Sequence, residues 1–200
     1  MISAILLAAG ESKRMEDENK LIKEIDGTPL IKYAVKNILG SAVDELIVVL
    51  GHEKIIFENI IEKNKKIKFV NNQSYQKGIS TSIIKGLNSV SKKTKAFFIC
   101  MGDMPDVNQS IYNKLIKTRY NYNKELSSDK KKEIFIPTFE EKKGNPILCS
   151  KFILEKIINN DKDFSAKKIT EENEDKILYV PVKSNGIILD FDTKDDFISS

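Results

Sequence analysis

The sequence predicts an α/β fold, a mostly parallel sheet with helices on both faces. Two observations predict it. Short runs rich in Ile, Val and Phe alternate with longer amphipathic segments, and those runs are apolar at consecutive positions rather than at every second one. Strands covered on both faces read that way, because neither side of the sheet meets water. No internal repeat interrupts the alternation, and 200 residues make one large domain or two small ones.

"ISAILLA" (2–8) reads as the first strand. "PLIKYAVKNILG" (29–40) reads as a helix, opened by Pro29 and closed by Gly40. A strand at 45–51, a helix at 53–64 and a strand at 66–72 follow. "STSIIKGLNSV" (80–90) reads as a helix with Ser80 as its N-cap. Residues 95–103 form the next strand and 108–120 the next helix. Later strands fall at 133–139, 145–150 and 176–182, with helices at about 150–160 and 164–172. The lysine-rich stretch 121–133 reads as a solvated surface loop.

Composition narrows the function classes. The net charge is only +4, and no basic stripe with interleaved aromatics marks a nucleic-acid partner. Cys100 and Cys149 stand in apolar stretches and His52 is the sole histidine, so zinc lacks a ligand set. Unpaired cysteines fit a reducing, cytoplasmic setting. The apolar run from Ile2 to Ala9 is too short to cross a membrane and lacks a positive flank, so no membrane association is expected. His52, between a strand and a helix, is read as structural.

Ligands of such sheets gather at the carboxyl ends of the strands. That rule selects Ala8–Gly10, Gly51–His52, Gly102–Asp103 and the loop after Asn72. The first strand runs into "LLAAGESKRMEDENK" (6–20), where small residues leave backbone amides uncovered for phosphate oxygens. Arg14 offers a planar fork and Lys20 a compact charge, together able to neutralise a departing pyrophosphate. The alternative is a plain strand-to-helix turn with solvated cations. "MGDMP" (101–105) releases Asp103 from the end of a strand, and "ILDFDTKDDF" (188–197) places Asp190 and Asp192 on one face of an extended segment. Brought together, these carboxylates would make an oxygen-rich Mg²⁺ site; capping of a last helix is the alternative for Asp192.

"LAAGESKRM…K", "GHE", "GISTSIIKGL", "MGDMP", "KKGNPILCSKF" and "ILDFDTKDDF", in this order, resemble the molybdenum-cofactor nucleotidyltransferases, in particular the cytidylyltransferase branch and its molybdenum-hydroxylase accessory relatives. The resemblance implies a single Rossmann-like domain over residues 1–200, of the nucleotide-diphospho-sugar transferase type, and transfer of CMP from CTP to molybdenum-bound molybdopterin with Mg²⁺. It implies that Leu7, Ala8, Ala9, Gly10, Gly78, Ser80 and Ser82 surround the nucleotide, and that Arg14, Lys20 and Asp103 act on the triphosphate and metal. Asp190 or Asp192 would complete the metal site, and Gly144, Asn145 and Pro146 would face the pterin. Ala9 stands where the guanylyl branch, which would use GTP, carries glycine. Glu16 replaces a family glycine, which keeps open a non-catalytic accessory protein that delivers the cofactor to a molybdenum hydroxylase or its chaperone.

Overall fold

The computed structural model of the chain describes residues 1–12, 19–159, 170–192 and 195–197. One sheet organises them, with strands β1 (Ile2–Ala8), β4 (Glu45–Leu50), β5 (Ile67–Asn71), β6 (Ala96–Met101), β7 (Ile134–Phe139), β8 (Lys142–Lys143), β9 (Ile147–Ser150) and β10 (Ile177–Pro181). A small hairpin of β2 (Glu24–Ile25) and β3 (Thr28–Pro29) stands apart from it. Its turn at Asp26 and Gly27 has φ of +50° and +71°, the left-handed pair that a tight hairpin needs.

The sheet order is β10-β7-β9-β6-β1-β4-β5, with β8 paired to β7. Four strands, β6, β1, β4 and β5, run parallel, and β10 is parallel to β7; β9 runs antiparallel between β6 and β7. Parallel neighbours need crossovers, and the helices supply them. These are α1 (Leu30–Leu39), α2 (Lys54–Ile60), α3 (Ile79–Leu87), α4 (Gln109–Asn123) and α5 (Lys151–Asn159).

The pleat divides each central strand between two cores. Ala4, Leu6 and Ala8 of β1 join Leu46, Val48 and Phe98 on the side of α1 and α4. Ile5, Leu7 and Ala9 join Ile47, Val49 and Phe97 on the side of α3 and α5. A fully buried Leu, Ile or Phe contributes roughly 1.5–3 kcal/mol, so these strands are the rigid floor of the molecule.

Three local readings need correction. The N-cap of α3 is Gly78 at φ +111°, not Ser80, which sits inside the first turn. The helix expected over 53–64 stops at Ile60, because Ile61 turns extended and buries its side chain. The first residues of the stretch 121–133 continue α4 to Asn123, whose side chain bonds the backbone of Lys132 through both N–H (3.0 Å) and C=O (2.8 Å). Of the helix expected at 164–172, residues 164–169 lie outside the described residues, and 170–172 are helical. No helix among the described residues is long and apolar enough to cross a membrane.

Both cysteines are buried and unpaired by disulfide. Burial pushes each thiol from an ordinary 9.0 up to about 12, although a hydrogen bond with Tyr112 works the other way at Cys100. Between pH 9 and about 12 the folded chain therefore keeps protons that the unfolded chain has released, and stability falls as pH rises through that window. Native protein at pH 8 is expected to leave Ellman's reagent uncoloured, with two thiols appearing on unfolding; rapid reaction of the native thiols would contradict their burial.

Candidate active site

The carboxyl ends of β1, β6, β4 and β5 lie along one edge of the sheet, and a cleft of about 370 Å³ opens there. That is within the usual size for a small-ligand site. Leu7, Ala9 and Gly10 form one wall, with Ser12, Lys20 and Leu21 from the connection that follows β1. Tyr75, Ile79 and Ser82 form the opposite wall, and Met101, Gly102 and Asp103 the end of β6. Asp192 closes it from the C-terminal segment.

The connection after β1 is tied by a residue with no role assigned from sequence, Asn19. Asn19 is 3% exposed. Its amide donates to the Gly10 carbonyl at 3.1 Å, and its Oδ1 accepts from Ser12 Oγ at 3.0 Å and from the Leu21 amide at 3.2 Å. One buried side chain thus joins both ends of the loop and sets Lys20 at its exit.

Across the cleft, Asn72 follows β5 and is also buried. Its amide donates to Thr81 Oγ1 and Ser82 Oγ, each at 2.9 Å, and its Oδ1 accepts from the Ser74 amide at 3.0 Å. This network fixes the turn into α3, where Gly78 permits the positive φ. Gln76 reaches back to Glu11 at 3.1 Å, linking the two walls.

The chemistry-bearing cluster stands at the end of β6. Lys20 Nζ donates to Asp103 Oδ2 at 2.5 Å and also to Asp192 Oδ1. Burial lowers the proton affinity of Lys20, but hydrogen bonds and charges from Asp103 and Asp192 outweigh it, so its pKa is raised and the ammonium persists. Oxygens of Asp103, Asp190 and Asp192 lie within 4.8 Å of one another. Asp103 Oδ1 is buried and has no hydrogen-bond partner. An unsatisfied buried carboxylate oxygen is costly, and the donor set is three hard anionic oxygens, so the residues fit a hard divalent cation such as Mg²⁺.

The backbone holds this cluster together. Phe191 donates its amide to the Asp103 carbonyl at 2.9 Å, and Asp192 donates its amide to Asp196 Oδ2 at 2.9 Å. The Phe191 and Phe197 rings meet edge to face at 5.3 Å, and Lys23 lies 4.4 Å over Phe197. The C-terminal segment is therefore strapped across the end of β6 and onto the loop that supplies Lys20.

The residues singled out in the sequence fall in different places. Leu7, Ala9, Gly10, Lys20, Ser82, Asp103 and Asp192 line one cleft, and Asp190 joins its carboxylates. Ala8 points through the sheet into the α1 side of the core, so only its backbone faces the cleft edge. Gly78 and Ser80 sit at the start of α3, neither lining the cavity. Gly144, Asn145 and Pro146 form the turn before β9, which lies beside the end of β6 because Ile147 pairs with Ile99. The Asn145 amide donates to the Ile187 carbonyl at 2.8 Å, joining this turn to the carboxylate strap. Arg14 and Glu16 lie outside the described residues. His52 does not line the cleft; its ring lies 6.2 Å from that of Tyr75.

Residues 4–177 match the family described as MobA-like NTP transferase domain. The bifunctional protein GlmU of Acetivibrio thermocellus is 29% identical over 128 residues, which cover 64% of this chain and 26% of that protein. This chain spans about a quarter of the length of the GlmU relatives it first matches. The molybdenum cofactor cytidylyltransferase of Escherichia coli K12 is 26% identical over 199 residues, covering 100% of this chain and 95% of that protein. Among solved structures, Rv0371c from Mycobacterium tuberculosis H37Rv superposes with a TM-score of 0.80 at 19% identity, covering 99% of this chain and 95% of that one. Its complex with manganese superposes with a TM-score of 0.77 at 18% identity, covering 99% and 96%.

Proposed function

Because this chain belongs to the MobA-like NTP transferase domain family, we propose that it is a Mg²⁺-dependent nucleotidyltransferase that moves CMP from CTP to molybdenum-bound molybdopterin and releases pyrophosphate. The observation that carries the transferase reading is the cluster of Lys20 with Asp103, Asp190 and Asp192 in the cleft at the strand ends. The cytidylyl choice draws its support from the full-length likeness to a molybdenum cofactor cytidylyltransferase and from Ala9 at the exit of β1.

The reaction suits these parts. A phosphate oxygen of the acceptor forms a bond to the α-phosphorus of CTP, while the bond from that phosphorus to the bridging oxygen breaks. Its electron pair leaves with pyrophosphate. A phosphate nucleophile needs no general base, which agrees with a cleft that His52 does not line. The rest is positioning and charge neutralisation. Mg²⁺ held by Asp103 with Asp190 or Asp192 would draw charge from the phosphates and align them. Arg14 and Lys20 hold the triphosphate against the amides beside Gly10, Asn19 keeps that loop closed, and the turn of Gly144, Asn145 and Pro146 receives the pterin.

Protein incubated with CTP, Mg²⁺ and molybdenum-bound molybdopterin is expected to yield the cytosine-dinucleotide cofactor and pyrophosphate by mass spectrometry. Product from GTP alone would move the chain to the guanylyl reaction, and no product from any nucleotide would leave a binding and delivery role. Arg14→Ala is expected to lower kcat/KM for CTP by roughly 10²–10³-fold with an unchanged melting temperature. Near-normal turnover in that variant would remove Arg14 from the triphosphate grip.

A further inference from the structure

We propose that Lys20 is a built-in counter-ion that denies the carboxylate cluster to a lone divalent cation and surrenders it only when a nucleoside triphosphate arrives. The inference rests on the metal-dependent reading above and adds an order to it.

Three carboxylates of the described residues meet within 4.8 Å, and the Lys20 ammonium is bonded to both Asp103 and Asp192. Side-chain exposures of 15% for Lys20 and 11% for Asp103 leave this pair poorly screened. Mg²⁺ takes oxygen ligands at about 2.0–2.1 Å, so an ion shared by Asp103 and Asp192 would crowd the ammonium that already bridges them. Like charges that close repel strongly in a half-buried site. A cation arriving alone must therefore expel Lys20 while offering it no new partner.

A triphosphate supplies that partner. The Lys20 backbone is anchored, since Asn19 binds Gly10, Ser12 and Leu21 on either side of it. The four-carbon stem beyond is flexible, so Nζ can pass from carboxylate to phosphate without moving the loop. Lys20 releases its bonds to Asp103 and Asp192 in the same event, and Asp103 Oδ1, buried and without a partner, gains one. Nucleotide and metal then strengthen each other's binding by the same factor, as linkage requires.

The test is a titration of the 200-residue chain with Mn²⁺ alone, with free ion read by electron paramagnetic resonance. Lys20→Met is expected to bind Mn²⁺ at least about tenfold more tightly than wild type, a coupling of ordinary size. Lys20→Arg, which keeps the charge, is expected to bind as weakly as wild type. Mn²⁺ is also expected to raise the melting temperature of Lys20→Met more than that of wild type, and Lys20→Gln gives the same readouts if the Met variant does not fold. Equal or weaker Mn²⁺ binding on removal of the ammonium would overturn the inference. If wild type still retains Mn²⁺ with CTP in ultrafiltration, only the counter-ion role falls. If no form retains Mn²⁺ with or without CTP, the metal-dependent reading falls with it.

Discussion

Asp103→Asn is expected to lower turnover by on the order of 10³-fold and to abolish Mn²⁺ retention in the presence of CTP. The substitution keeps the shape and leaves an oxygen to accept from Lys20, which now bonds Asp103 at 2.5 Å. The Asp103 carbonyl, which accepts from the Phe191 amide, is untouched, so the strap stays in place. Only the charge is removed, at a carboxylate that is 8% exposed and has one oxygen without a partner. A variant that melts normally, loses metal and loses turnover would identify the charge itself as the essential element. Mg²⁺-dependent turnover at the wild-type level would place the metal elsewhere.

Gly144→Ala is expected to damage the site from outside the cleft. A Cβ at this position would lie 2.3 Å from the Ile187 carbonyl oxygen and 2.8 Å from Ile187 Cβ. The first obstacle is backbone, not the end of a mobile side chain, so the strap over residues 185–192 must shift. That strap carries Asp190 and Asp192, and it is joined to the same turn by the Asn145 amide. Overpacking of this kind costs about 1–3 kcal/mol, which in a chain of this size lowers Tm by roughly 3–10 °C. Turnover and Mn²⁺ affinity should fall together, because the carboxylates move with the chain. An unchanged Tm with full activity would show that the turn and strap are not mechanically coupled.

The sheet was legible because its strands are buried on both faces. β1, β4 and β6 have no polar side to mask their boundaries, and apart from Ser3 and Glu45 each is an unbroken apolar run. The cleft was legible where strand ends coincide with glycine or aspartate, at Gly10, Gly102 and Asp103. What escaped depends on tertiary contacts. Asn19 lies among acids and lysine, and its value comes from Gly10, Ser12 and Leu21, which no spacing rule brings to it. Asn72 ends a strand that the sequence marks, yet its amide serves α3 across the turn. Ala8 and Ala9 read as one motif, but the pleat sends their side chains to opposite cores. Ser80 has the chemistry of a cap, while the position of the cap was decided by the positive φ that Gly78 alone tolerates without strain. The pair Asp190 and Asp192 was readable as a shared face, and its meeting with Asp103 follows from the bond between Phe191 and the Asp103 carbonyl.

The most direct measurement of the central claim is calorimetric binding of CTP, GTP, ATP and UTP, each with and without Mg²⁺. Binding is expected to be selective for CTP and strengthened at least about tenfold by Mg²⁺, since the two ligands share the cluster that Lys20 now occupies. Absence of binding by every nucleotide, in a protein shown to be folded, would contradict that claim.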